Sequence, residues 1–311
     1  MKTLFFFLSL TAFLFGEERV QMHMGTLIHV TVEDETLSDA VFREFAYLDQ
    51  TLSTYKSDSE ISRLNRDFEV NASEVTREIL ERSLEMYRLS DGAFDVTIGS
   101  LTHQGYRFGY ADEHIPTQKE VERLGKTVTS HRIHIEDKKI RLDPHTIIDL
   151  GGIGKGYAVD RAIKILECSS GAEKGVIAAS GDIGCLGACD VALQDPFHPN
   201  GTIAVISSSL KRFAISTSGN YERYIKSKAN NHLINPKTHK PQQQYASVTL
   251  MDVGDNTRLD ALATAVSVME EKKAVEMLET LRIGYVLIRN DGRMVKNVGL
   301  SGVGVDFTAS E

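Results

Sequence analysis

The residues best suited to chemistry fall in one stretch, Ile148-Asp149-Leu150-Gly151-Gly152-Ile153-Gly154-Lys155-Gly156-Tyr157-Ala158-Val159-Asp160. Four glycines in six positions let a backbone take positive φ and come close to a ligand. Ile147 and Ile148 before it, and Ile163, Ile165 and Leu166 after it, read as strand, tight turn, helix. A turn that opens a helix aims free N–H groups at one point, which suits phosphate. Lys155 adds a cation there, and Asp149 is placed to orient a ligand or sit near a metal. The glycines at 151, 152, 154 and 156 fit neither GxGxxG nor GxxxxGK[ST]. The motif alone therefore leaves two readings open: a phosphate or diphosphate site, or a glycine-rich corner with a solvated lysine. On the first, loss of Lys155 should spare stability.

Three other places carry candidate chemistry. Asp260 and Thr264 stand four apart in a segment read as a helix start, with Thr257 as a possible cap, so both side chains share one face. A carboxylate and a hydroxyl are hard ligands that suit Mg²⁺, although a helix-start aspartate also serves the helix dipole. Asp95 lies among apolar neighbours in Gly92-Ala93-Phe94-Asp95-Val96, read as a loop entering a short strand. A buried aspartate needs hydrogen-bond donors, so a structural role weighs as much as ligand contact. Asp182 falls in a second glycine turn ending a buried strand within 175–187. His232 opens a turn before Pro236, where packing beside that proline is the alternative to a chemical role.

These positions need a frame. Apolar spacing predicts helices over 37–53, 74–90, 117–126 and 272–281. Ser57 with Glu60, or Ser59 with Ser62, marks a capped short helix. Strands are predicted at 27–32, 202–207, 246–251 and 283–288, with a hairpin over 131–142. No linker or composition break divides the chain. The fold class expected is α+β, a single mixed α and β domain.

The chain has 311 residues, 41% hydrophobic and 25% charged, enough for a packed core. A net charge of −8 argues against nucleic acid as the main partner. Lys2 followed by the apolar run Leu4 to Phe15 reads as a secretory signal over residues 1–16, with the folded domain over 20–311. Leu14 is not the small residue expected before a cut after Gly16, so an uncleaved anchor is the alternative. The expected location is the periplasm, with attachment to the inner membrane under the alternative. The three cysteines, Cys168, Cys185 and Cys189, leave at least one thiol unpaired and complete no zinc set.

Taken together, the motifs resemble the ApbE family of FAD:protein FMN transferases. The matching stretches run in order: Met24-Gly25-Thr26, Tyr55 to Asn65, Gly92 to Asp95, Asp149 to Asp160, Gly181-Asp182-Ile183, Thr217 to Tyr221, His232 with Pro236 and Thr238, and Asp260 to Thr264. The resemblance implies an Mg²⁺-dependent enzyme that attaches FMN, taken from FAD, to a Ser or Thr of an acceptor protein through a phosphodiester, with AMP leaving. It implies FAD contacts at Met24, Tyr55, Ala93, Phe94, Asp95, Asp149 and Lys155, and a metal held by the carbonyl of Gly152 with Asp260 and Thr264. His232 is the first candidate for the base and Asp182 the second. The implied acceptor is a membrane redox subunit or an exported flavoprotein. Asn235 stands where the family has aspartate, and His239 where it has glycine, which puts the geometry of that turn in question. An FAD diphosphatase, with water replacing the acceptor, and a flavin-binding protein without turnover are the competing readings.

Overall fold

The computed structural model describes residues 16–170, 172–198 and 200–307. The apolar run read as a signal lies in residues 1–15, outside them. The chain opens with β1 (Glu17–His23) and β2 (Thr26–Val32), then α1 (Glu35–Leu52), α2 (Glu60–Asp67), β3 (Glu69–Asn71) and α3 (Glu74–Leu89). A short α4 (Gly99–Leu101), α5 (Gln118–Gly125), β4 (Ile133–Glu136) and β5 (Lys139–Leu142) lead to α6 (Gly154–Glu167). Five strands follow: β6 (Gly175–Ala179), β7 (Asp182–Leu186), β8 (Cys189–Gln194), β9 (Thr202–Ser208) and β10 (Arg212–Gly219). The chain closes with β11 (Tyr245–Asp252), α7 (Asn256–Val268), α8 (Glu271–Leu281), β12 (Gly284–Arg289), β13 (Met294–Asn297) and β14 (Val303–Phe307).

Strand periodicity sets the layers. Successive side chains point to opposite faces, and several strands here are apolar on both. In β12, Tyr285 and Leu287 join one buried cluster while Val286 and Ile288 join another. In β10, Ala214 goes one way and Phe213 and Ile215 the other. A sheet buried on both faces must be a middle layer. It is an eight-stranded antiparallel sheet in the order β1-β2-β6-β7-β10-β11-β12-β13. Helices α1, α6 and α7 cover one face. The sheet β14-β9-β8 covers part of the other with Val191, Leu193, Ala204 and Ile206. A third small sheet, β3-β5-β4, completes the single α+β domain.

Most predicted elements form, and the differences have local causes. Ser59 caps α2, accepting from the Ser62 N–H at 2.9 Å, so the second of the two cap readings holds. The 92–99 segment forms no strand; Ile98 makes one isolated bridge to Ile147 and the chain turns into α4. Ile147-Ile148 forms no strand either, because the Asn65 amide takes both the N–H and the C=O of Ile148 (2.7 and 2.9 Å). The 175–187 run is two strands, β6 and β7, joined at Ser180-Gly181. Helix α7 starts four residues before Asp260. Asp255 is its cap rather than Thr257, and Asp160, reaching from α6, accepts from the N–H groups of Asn256 (2.9 Å) and Thr257 (2.7 Å). Those bonds satisfy first-turn donors that a helix cannot satisfy itself. Cys185 and Cys189 form a disulfide between β7 and β8, and Cys168 is an exposed free thiol.

Candidate active site

The glycine stretch works differently from the expectation. None of Gly151, Gly152, Gly154 and Gly156 has positive φ. Two of them are there for close approach. A Cβ on Gly156 would fall 2.7 Å from the Asp260 Cβ and closer still to the Asn256 carbonyl; one on Gly152 would fall 2.7 Å from Thr264 Oγ1. Glycine thus lets α6 start against α7. The N–H groups are largely committed as well. Those of Gly151, Ile153 and Gly154 bond to Asp149 Oδ1 (2.8 Å) and to the Leu150 carbonyl (3.1 and 2.8 Å), and that of Gly156 to Asp260 Oδ2 (3.0 Å). The predicted nest of free donors for phosphate is not formed.

What forms instead is a buried cluster of acids around one ammonium. Lys155 Nζ lies 3.0 Å from Asp182 Oδ2 and 3.8 Å from Asp260 Oδ2. Asp182 opens β7 and also accepts from the hydroxyl of Ser216, its cross-strand neighbour on β10, at 2.6 Å. Burial, with Asp182 close by, lifts the Asp260 carboxyl to about 7 against the pull of Lys155. Burial alone would lower the Lys155 ammonium, but Asp182, Asp260 and Glu222 outweigh it and push its pKa up. Lys155 is therefore a partly buried ion-pair partner, 24% exposed, not a solvated lysine.

The metal ligands expected from the sequence come together here. Among the described residues, no group of three or more His, Cys, Asp and Glu is arranged to hold a metal. The expected set needs only one acid: Asp260, with Thr264 one turn further along α7 and Gly152 against Thr264. Three acids, Asp182, Asp260 and Glu222, act on a single ammonium, and a divalent cation relieves that surplus of negative charge. The residues present fit Mg²⁺.

A second cluster adjoins the first. Asp149 is held by the Thr102 hydroxyl (2.6 Å) and the Gly151 N–H, with His103 Nε2 at 3.3 Å. Burial alone would raise its pKa; His103 and these donors outweigh burial and hold the carboxyl well below the usual range. The Tyr55 ring packs against His103 and Tyr110, with centroids 5.5 and 5.3 Å away, and its hydroxyl meets Arg223 Nη1 at 3.3 Å. Tyr55 remains half exposed, so an aromatic face with a guanidinium beside it is open at the surface. His232 links the clusters. Its Nδ1 lies 3.1 Å from the Arg223 carbonyl, to which it donates in the neutral ring, leaving Nε2 as acceptor. Burial, with Arg223 and Lys155 nearby, lowers its pKa to about 4.

The two residues that depart from the family pattern in the turn after His232 both help to close it. Asn235 Oδ1 accepts from the N–H groups of Lys237 (2.8 Å) and Thr238 (3.1 Å), as an aspartate would. His239 takes the left-handed φ of 60° that favours glycine.

The remaining expected FAD contacts divide. Met24 sits at φ 51° in the two-residue β1–β2 turn, an uncommon conformation for its residue type, with its Cε 3.6 Å from where a Gly154 Cβ would be. It reaches the start of α6. Ala93 and Phe94 point their side chains into the core, and their N–H groups bond to Ser90. Only their carbonyls are left to offer a ligand. The Asp95 carboxylate is fully occupied inside, accepting from Thr97 N (2.9 Å) and Oγ1 (2.7 Å) and from Ser130 N (3.0 Å) and Oγ (2.8 Å). Its side chain has the structural role.

Sequence reasoning missed His103, Tyr110, Glu222 and Arg223. The available signal was a histidine among Tyr106, Phe108 and Tyr110 in a stretch otherwise read as polar, and an acid–arginine pair after the Thr217–Tyr221 match.

A single α+β domain with a buried acid–lysine cluster at the start of a helix is the class of structure these observations define. The model of the ApbE family matches residues 24–287, and the chain belongs to that family. A curated relative from Haemophilus influenzae, an FAD:protein FMN transferase, is 27% identical over 300 residues, covering 88% of this chain and 86% of that protein. The crystal structure of the ApbE protein from Thermotoga maritima superposes with TM-score 0.84 at 27% identity, over 91% of this chain and 97% of that one. The flavin transferase ApbE from Vibrio cholerae gives TM-score 0.77 at 25% identity, over 92% and 97%.

Proposed function

We propose that this chain is an FAD:protein FMN transferase, moving the FMN half of FAD onto a Ser or Thr of an acceptor protein and releasing AMP. The observation that carries the reading is the Lys155–Asp182–Asp260 cluster with Gly152 and Thr264 beside it, in a chain matched to the ApbE family over residues 24–287. The open face formed by Tyr55, Tyr110 and Arg223 suits a flat ring and an anionic group. Lys155 neutralises charge on the diphosphate as it arrives, while Asp182, itself fixed by the Ser216 hydroxyl, holds the ammonium in place. Asp260, Thr264 and the Gly152 carbonyl would hold Mg²⁺, which would withdraw charge from the phosphoryl oxygens and the departing AMP. His232, neutral with Nε2 free, accepts a hydrogen bond from the incoming substrate and so positions it.

Export is part of the proposal. The charge at Lys2, the apolar run to Phe15 and the Cys185–Cys189 disulfide together favour an oxidising compartment, the periplasm, with the acceptor presented there. The test of function incubates the full chain with FAD, Mg²⁺ and an exported redox protein as acceptor. Intact-protein mass should show the acceptor heavier by one FMN, with AMP released in equal amount. Free FMN and AMP without an adduct would make the chain a diphosphatase instead.

A further inference from the structure

Every acid of the two clusters is engaged except one. Asp149 is held by Thr102 and Gly151, Asp182 by Ser216 and Lys155, and Asp260 by Gly156. The Glu222 carboxylate makes no hydrogen bond or ion pair among the described residues. It is half-buried just beyond the end of β10. There it borders a narrow cavity of about 40 Å³ together with Ser180, Gly181, Thr217, Tyr221 and Leu193. Ser180 and Gly181 form the turn into Asp182, and Ile183, Ile206 and Ile215 complete an apolar wall, so the cavity sits at these strand ends between the main sheet and the β8–β9 layer.

Resting on the transferase reading above, we propose that Glu222 is a catalytic residue: its carboxylate takes the proton from the acceptor's Ser or Thr hydroxyl as that oxygen attacks the FMN phosphorus of FAD. The new oxygen–phosphorus bond forms, the bond from that phosphorus to the bridging oxygen breaks, and the bridging oxygen leaves on AMP. The proton ends on Glu222, and nothing is oxidised or reduced. Each of the other acids accepts from at least one fixed donor. His232 has one nitrogen committed and little proton affinity near neutral pH. Burial, then Asp182, raises the Glu222 carboxyl to about 7, with Lys155 and Arg223 opposing. Asp260 and the Tyr221 hydroxyl are the other titratable groups that face it. A base whose pKa lies near the working pH is both available and strong enough to take a proton.

The test measures AMP release in a single turnover, with saturating FAD, Mg²⁺ and an acceptor protein that the wild type flavinylates. Glu222→Gln keeps the shape of a side chain that makes no hydrogen bond, so the protein should fold, with an unchanged melting temperature as the check. Its rate should fall by roughly 10²–10⁴-fold, the usual range for a positioned base. FAD affinity, read by flavin fluorescence, should stay within about twofold, because the group acts in the transition state. The wild-type rate should rise with pH through one inflection and then level; Glu222→Gln should lose that inflection, and Glu222→Asp should recover part of the rate. Cation binding moves the inflection down, so its loss, not its position, is the readout. A Glu222→Gln enzyme that keeps the wild-type rate or inflection, or that fails only through weaker FAD binding, overturns the assignment. A wild type that releases no AMP overturns the transferase reading, and this assignment with it.

Discussion

Lys155 and Asp182 form an ion pair of 3.0 Å in which the aspartate side chain is only 2% exposed, and the same ammonium faces Asp260 at 3.8 Å. The lysine lies at the start of α6, the aspartates on β7 and α7. One charge thus ties the sheet to both helices at the place where a diphosphate would be handled.

That geometry reverses an expectation about Lys155. A solvated lysine could be lost at little cost in stability, but a lysine facing two buried acids cannot. Removing one partner of a buried pair costs on the order of 3–5 kcal/mol. In Lys155→Met the Asp260 carboxyl, already lifted to about 7, rises further and can take up a proton. The loss in melting temperature should therefore be small near pH 6 and large near pH 8. Thermal melts across that range check it; a pH-independent difference would mean that Asp260 takes up no proton when the ammonium is lost.

Asp260 has its own pH signature. Its pKa rises from 3.8 in the unfolded chain to about 7 in the folded one. The stability linked to its protonated form is complete below the unfolded value and is lost as pH climbs through about 7. Metal-free wild type should melt lower at pH 8 than at pH 6, and Mg²⁺ should restore part of the difference. Asp260→Asn keeps an acceptor for the Gly156 N–H but loses the charge. It should flatten the pH dependence of melting and abolish Mg²⁺-dependent AMP release. Turnover at wild-type level with low Mg²⁺ would remove Asp260 from the metal site.

The sequence made the site legible where chemistry and spacing coincide. Asp260 and Thr264 share a helix face because four residues make about one turn, and the ordered motifs pointed to Asp149, Lys155 and His232, which the fold brings into one region. The fold class was readable for a similar reason: local period distinguishes helix from strand. What escaped depends on partners far along the chain. Whether Ile148 joins a strand is decided by Asn65, 83 positions away, and where α7 begins is decided partly by Asp160. The purpose of Gly152 and Gly156 could not be read without α7 beside them. Glu222 differs from the other acids only in lacking a partner, which no local pattern encodes.

Asp95 separates a structural aspartate from a ligand contact. Four donors converge on its carboxylate in the interior. Asp95→Ala leaves them unsatisfied, at a cost of roughly 1–3 kcal/mol for each that water cannot reach. The variant should melt well below wild type, while the folded fraction binds FAD with normal affinity. Calorimetry with an FAD titration checks this; a variant of normal stability and weak FAD binding would return Asp95 to the ligand.

His232 tests the division of labour in the site. Burial and the nearby Arg223 and Lys155 keep its imidazole neutral above about pH 4, and its Nδ1 is committed to the Arg223 carbonyl. A ring with that pKa has little affinity for a proton at neutral pH, so it positions a substrate group through Nε2 rather than carrying the proton away. His232→Ala should therefore lower the single-turnover rate while the pH profile keeps its wild-type inflection. His232→Gln, which offers an amide oxygen as acceptor near Nε2, should recover part of the loss. Both are read from AMP release against pH with FAD saturating. If His232→Ala erases the inflection and Glu222→Gln leaves it in place, the imidazole is the base, and the low proton affinity argued from its burial is wrong.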